Sequence, residues 1–141
     1  MRVVIDTDVF VSGIYWRTES HQILLAWLRG AFDLVLTRPI FAEYCDVAGR
    51  LKATGKLSAD PSVWLAAAVG RAAWVQPAEL VEQIGRDPGD QIFFAAALGG
   101  QANIIVARDK HFTDREKPLG IRVLTPRQFM NLIPRQFRRG R

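Results

Sequence analysis

The sequence predicts an α/β protein: a parallel sheet of about four to five strands, covered by helices on both faces. Three observations carry this. Short apolar, β-branched runs recur, above all Val3-Val4-Ile5 and Ile104-Ile105-Val106-Ala107, as in strands buried on both faces of a parallel sheet. The stretches between such runs carry apolar residues at helical spacing. Cap-and-proline helix starts recur at Thr37-Arg38-Pro39, Asp60-Pro61, Asp87-Pro88 and Thr125-Pro126.

Taken in order, Val3–Ile5 is the first strand, followed at once by Asp6-Thr7-Asp8 and then by Val9-Phe10-Val11. Ser12-Gly13 reads as a loop. Ser20 is a candidate N-cap for a helix that turns Ile23, Leu24, Trp27 and Leu28 to one face and ends at Gly30. Phe32–Leu36 is the second strand candidate. The helix opened by Pro39 carries Ile40, Tyr44 and Val47 on its apolar face, and Leu51–Ser58 reads as loop. A short apolar helix covers Val63–Val69, Ala73–Gln76 is a third strand, and Ala78–Ile84 fits either a helical turn or an extended loop. The helix over Ile92–Leu98 is apolar nearly all round, so burial is expected, and Gly99-Gly100 ends it. After the Ile104–Ala107 strand, Lys110–Phe112 reads as a turn of helix. Ile121–Leu124 is the last strand. A final helix carries Phe129, Met130, Leu132 and Ile133. The alternation implies one domain over residues 1–134, with a frayed basic tail over 135–141 that contains Arg135, Arg138, Arg139 and Arg141.

Composition narrows the classes. Hydrophobic residues make up 49% of the 141, enough for a globular core. No apolar run approaches the ~20 residues that span a bilayer, and the N-terminus does not read as a signal peptide. The single cysteine, Cys45, excludes an internal disulfide, fits a reducing cytoplasm, and reads as a small buried hydrophobe. The net charge of +5 permits a nucleic-acid partner. His21 and His111 read as surface or packing residues. The four tryptophans read as core, with Trp16 in the loop after Asp6 and able to border a site there.

In a parallel sheet, strand ends and the starts of the following helices share one edge, where sites form. Asp6 follows the first strand, Glu43 lies in the first turns of the second helix, Asp90 opens the Ile92–Leu98 helix, and Asp109 follows the Ile104–Ala107 strand. All four carboxylates can therefore face one crevice. Four like charges that close repel strongly, and a hard divalent cation, Mg²⁺ or Mn²⁺, relieves this. Zinc is disfavoured, because Cys45 stands alone and the histidines show no ligand spacing. Each acid also has an ordinary reading. Asp6 after a strand can simply cap a turn, Asp87 before Pro88 is a helix cap, Asp90 complements a helix dipole, and Glu43, Asp109 and Asp8 could be solvated charges. The joint placement is what points to a site.

This arrangement resembles the PIN-domain nucleases, and within them the VapC-like toxins of prokaryotic toxin–antitoxin pairs. VVIDTDVFVSG resembles the family's opening strand and its Asp-Thr-Asn-Val-hydrophobic-x-Ser pattern. LVLTRPIFAEY resembles its second strand and acidic helix. RDPGDQIFFAAALGGQANIIVARDKHF resembles its third and fourth acidic segments, and IRVLTPRQFMNLI its closing strand and helix. The likeness runs from Arg2 to about Ile133. Carried over by position, the acidic quartet falls on Asp6, Glu43, Asp90 and Asp109, and Asp87 matches an extra acidic position. Asp8 stands where Asn is usual, and Arg108 where Gly is often found.

The resemblance implies a PIN-like fold and a Mg²⁺- or Mn²⁺-dependent endoribonuclease, a toxin restrained by an antitoxin protein, with room for a homodimer. Asp6 and Asp90 would bind a first metal directly, and Glu43 and Asp109 would complete the shell through water or a second metal. Thr7, Ser12 and Arg108 are candidates to orient water or phosphate. Attack by water needs no 2′-hydroxyl, so the expected products carry a 5′-phosphate and a 3′-hydroxyl. Apolar residues around Trp16, Trp27 and Leu51–Leu57 are candidates for the protein–protein surface. Two other readings stand beside this one. Asp6-Thr7-Asp8-Val9 fits the Asp-x-Asp-x-Val start of a haloacid dehalogenase-type phosphatase, with Asp6 as nucleophile and Asp8 as acid/base. A catalytically inactive RNA- or protein-binding module is the other.

Overall fold

The computed structural model describes residues 1–84, 87–108 and 120–138 of the chain. Among them the strands are β1 (Arg2–Ile5), β2 (Asp33–Leu36), β3 (Ala73–Trp74), β4 (Ile104–Val106) and β5 (Arg122–Leu124). They form one five-stranded sheet in the order β3-β2-β1-β4-β5, every pairing parallel, as the alternating pattern predicts. β1 lies at the centre, and Val3, Val4 and Ile5 are fully buried. The chain builds outward from β1 to β2 and β3, then returns to place β4 on the other side. β1 and β4 therefore flank the point where the winding reverses. In open parallel sheets, the crevice beyond the strand ends at that point is where sites form.

The helices flanking the sheet are α1 (Thr7–Tyr15), α2 (Glu19–Leu28), α3 (Arg38–Ala53), α4 (Pro61–Arg71), α5 (Gln91–Gly99) and α6 (Pro126–Met130). Helix α1 corrects the expected loop at Ser12-Gly13. The chain turns helical directly after β1, because the Asp6 carboxylate caps α1 by accepting the Asp8 N–H. Gly13 sits inside this helix where α2 crosses it. A Cβ there would lie 2.7 Å from Leu24 Cδ1 and 2.8 Å from the Ser20 carbonyl oxygen. Thr18 rather than Ser20 takes the N-cap position of α2, and Ser20 is buried within its first turn.

Helix α3 starts as predicted, with Thr37 Oγ1 accepting from the Ile40 N–H, but continues through Leu51 to Ala53. Asp60 caps α4. Residues 77–84 form neither helix nor strand. Helix α5 lies against β1, β2 and β4 and buries Phe93, Phe94, Ala96 and Ala97, while Leu98 is exposed. Helix α6 is shorter than predicted but carries a full capping box between Thr125 and Gln128, and Ile133 is buried beyond it. The start of the expected frayed tail is ordered. Residues Arg135–Phe137 make a turn of 3₁₀ helix, and Arg138 Nε donates to the Ile133 carbonyl at 2.5 Å. Arg139 and Arg141, and the predicted turn at Lys110–Phe112 with His111, lie outside the described residues.

Three side-chain expectations need correction. Trp27 is buried, which bears out its reading as a core residue and corrects its place among the candidates for a protein–protein surface. Trp16 and Trp74 are exposed rather than core residues. Cys45 is only half-buried, and that partial burial pushes its thiol pKa up. His21 is a packing residue: its Nδ1 donates to the Gly13 carbonyl at 2.6 Å, and its ring meets Trp64 edge-on. Among the described residues, no helix is long and apolar enough to cross a membrane.

Candidate active site

Asp6 is held at the junction of sheet and helix by its own backbone. Its N–H donates to the Val106 carbonyl at 2.9 Å, which extends the β1–β4 pairing by one residue. Its carbonyl accepts the Phe10 N–H at 3.0 Å as the first bond of α1. The side chain has little freedom left, and Oδ1 takes the Asp8 N–H at 2.8 Å. Beneath it lies Tyr44 of α3, fully buried, its ring stacked on Phe10 at 4.1 Å and its hydroxyl donating to the Ile5 carbonyl at 2.5 Å. That bond ties α3 to the end of β1 and so sets Glu43, the next residue back, beside Asp6.

The third contribution comes from the segment ahead of α5. Asp87 Oδ1 accepts the Gly89 N–H at 2.9 Å, and a turn of 3₁₀ helix over Pro88–Asp90 leads directly into α5. Asp87 is thus the cap its position before proline predicts. Asp90 is the last residue of that turn rather than a member of α5 proper. Asp6, Asp8, Glu43, Asp87 and Asp90 all line one cavity of about 500 Å³, with Gly89, Phe93 and Arg108 completing the wall. The sequence singled out all five acids and Arg108. It missed Phe93 and Gly89, and only the Asp-Pro-Gly-Asp turn could have pointed to the glycine.

The electrostatics follow from this crowding. The carboxyl of Asp6 is pushed up to about 6. Burial is the largest cause; the carboxylates of Asp8, Asp90 and Glu43 add to it, and the Asp8 N–H bond opposes it. Tyr44 is raised well above its ordinary value, first by burial and then by the charges of Asp6 and Glu43. Arg108, two residues beyond β4, also lines the cavity and donates from Nε to Asp8 Oδ2 at 2.9 Å.

Not every predicted residue reaches the cavity. Thr7 is buried in the first turn of α1, and its hydroxyl finds no hydrogen-bond partner among the described residues. Ser12 lines a neighbouring cavity with Trp16, Thr18 and Arg108. Asp109 lies outside the described residues.

The donor set is chemically suited to a hard divalent cation. Carboxylate oxygens dominate the cavity, and among the described residues no histidine or cysteine lines it. Among those residues, no three acidic, histidine or cysteine side chains close into a compact cation cluster, so the acids ring an open space.

No curated protein matches the chain. A family model described as PIN domain matches residues 2–111. The match runs from β1 past β4 and takes in every acid that lines the cavity. A match of that extent establishes that the chain belongs to the PIN-domain family, whose members are generally metal-dependent nucleases.

Proposed function

We propose that the protein is an endoribonuclease that uses Mg²⁺ or Mn²⁺ to hydrolyse RNA phosphodiesters, and that it is the VapC-like toxin of a toxin–antitoxin pair. The observation that carries the nuclease reading is the Asp6 carboxyl, raised to about 6 in a cavity it shares with Asp8, Glu43, Asp87 and Asp90. A protein gathers that many acids around one half-buried carboxyl at a cost in stability, and a cation offsets the cost.

Asp6 and Asp90 would hold the ion directly, and Glu43 and Asp109 would complete its surroundings. Asp109 enters on the family resemblance alone. When bound, the ion supplies Lewis acidity and neutralises charge gathering on the scissile phosphate. The chain's own residues do the rest. Asp6 is oriented by the Asp8 N–H, Tyr44 fixes the strand end beneath it, and Arg108 stands where a phosphate would enter. The basic balance of the chain favours a polyanion outside the acidic cavity. The antitoxin partner, a homodimer and a cytoplasmic setting belong to this proposal through the resemblance. Exposed Val63, Val69 and Trp74 replace Trp27 as the apolar side chains available to a protein partner.

The haloacid dehalogenase reading requires Asp8 to act as a proton donor. Asp8 is instead engaged by Arg108, and the family match favours the nuclease.

The test is incubation of the full chain with mixed RNA and Mg²⁺ or Mn²⁺, with and without EDTA, beside Asp6→Asn and Asp90→Asn. Cleavage that needs metal, and is lost in both variants with the fold intact, is the expected result. Wild-type activity in both variants overturns the reading. For the toxin role, expression should arrest growth and a small neighbouring gene should relieve the arrest; harmless expression counts against it.

A further inference from the structure

Arg108 is the residue at which three cavities meet. It lines the acidic cavity. It also lines a space of about 230 Å³ with Ser12, Trp16 and Thr18, and one of about 370 Å³ beside the start of α2 and residues Thr125–Arg127. The guanidinium is half-exposed, with Nε held by Asp8. Trp16 shares the 230 Å³ cavity with Arg108. It ends α1 in extended backbone, its N–H anchored to the Ser12 carbonyl at 2.9 Å. It is 45% exposed and takes no place in the core, whereas its neighbour Tyr15 packs against that core. An exposed indole that shares a cavity with a held guanidinium, itself part of the acidic cavity's wall, is the pairing that single-stranded nucleic acid requires: a cation for the backbone and a face for a base. A duplex offers the cation its phosphates but hides its base faces inside the stack.

We propose that a strand of the substrate leaves the acidic cavity past Arg108, which contacts a phosphate, to reach Trp16, on which an unpaired base stacks. Asp8 is the positioning residue that holds Arg108 at the junction. The inference rests on the nuclease reading for what happens in the acidic cavity, but its binding consequences are separate.

The experiment measures binding of a short labelled oligoribonucleotide of mixed sequence, alone and annealed to its complement, by fluorescence anisotropy of the full chain in EDTA. The single strand binds at least about tenfold tighter than the duplex. Trp16→Ala weakens single-strand binding by roughly 5- to 150-fold, the range expected for one lost stack, and leaves duplex binding within about twofold. Trp16→Phe, which keeps an aromatic face, recovers most of the loss, while Trp16→Leu does not; a merely structural role would not separate these two. Arg108→Ala lowers the salt slope of single-strand binding by about 0.7, as for one lost phosphate contact. Equal loss on single strand and duplex, or Trp16→Ala within twofold of wild type on both, overturns the proposal. Cleavage of the same oligonucleotide with Mg²⁺ or Mn²⁺, wild type against Asp6→Asn, scores the nuclease reading independently. Cleavage with no effect of Trp16 on binding removes the strand path and keeps the nuclease. Binding through Trp16 without any cleavage does the reverse.

Discussion

Arg108 Nε donates to Asp8 Oδ2 at 2.9 Å, joining residues 100 apart in the chain that both line the acidic cavity. These are the two positions at which the sequence departs from the family pattern it resembles. The pair accounts for both together: an extra carboxylate beside Asp6 is matched by an extra guanidinium opposite. Both side chains are about half-exposed, so the pair adds little stability, on the order of 1 kcal/mol or less. Its effect falls on the field in the cavity. Asp8→Asn alone leaves an unmatched cation there, and Mn²⁺ affinity should fall several-fold. The double change Asp8→Asn with Arg108→Gly removes both charges and should recover most of that affinity. Calorimetric titration of the four proteins gives the coupling directly. A double variant as weak as the single one would mean that Asp8 itself holds the ion.

Gly13 sets the distance between α1 and α2. A methyl group there would meet both the Leu24 side chain and the Ser20 backbone carbonyl below 3 Å, and a backbone carbonyl cannot swing aside as a side chain can. Gly13→Ala should therefore destabilise by about 1–3 kcal/mol despite the better helix propensity of alanine. Gly49→Ala, in α3, meets nothing within 4 Å and should stabilise by about 0.5–1 kcal/mol. Urea unfolding of both variants checks this, and equal signs would show that α1 and α2 have room to part.

Tyr44 is buried twice over, by its ring on Phe10 and by its hydroxyl on the Ile5 carbonyl. Tyr44→Phe keeps the stack and leaves that carbonyl without its donor. A loss of about 1–2 kcal/mol is expected, as for a buried acceptor left unpaired. Because Ile5 precedes Asp6, cleavage should fall as well, with metal-binding stoichiometry intact. Unchanged stability would mean that water replaces the hydroxyl.

The sheet was legible because its strands are short, β-branched and bounded by caps that name their helices. Asp60-Pro61 and Thr125-Pro126 begin helices where they stand. Helix α1 was not legible. Its Val9-Phe10-Val11 run has no amphipathic period, because the helix is buried almost all round, and Gly13 looks like a terminator when it is a packing contact. The acids of the cavity were readable singly as strand ends and caps. That they surround one space followed only from the parallel topology. The Asp8–Arg108 pair was beyond the sequence, because neither residue carries any local sign of the other.

The Asp6 carboxyl turns this crowding into a pH-dependent stability. Its pKa is about 6 in the fold against an ordinary value of 3.8. Below the lower value it is protonated folded and unfolded, and contributes nothing. Between the two, the unfolded chain releases its proton while the fold retains it, so stability falls as pH rises through this window. Above 6 the penalty is complete, about 3 kcal/mol at most. Asp6→Asn cannot titrate, yet its Oδ1 still accepts the Asp8 N–H, so the helix cap survives. In EDTA at about pH 7 the variant should be more stable than wild type by up to about 3 kcal/mol. Below about pH 4 the two should converge. Mg²⁺ or Mn²⁺ at neutral pH should raise the stability of wild type and leave the variant nearly unmoved, because only the charged site gains from the ion. Urea unfolding across this pH range, with and without metal, reads all three expectations. A difference between the two proteins that does not change with pH would mean that Asp6 is not the strained carboxyl at the centre of the cavity.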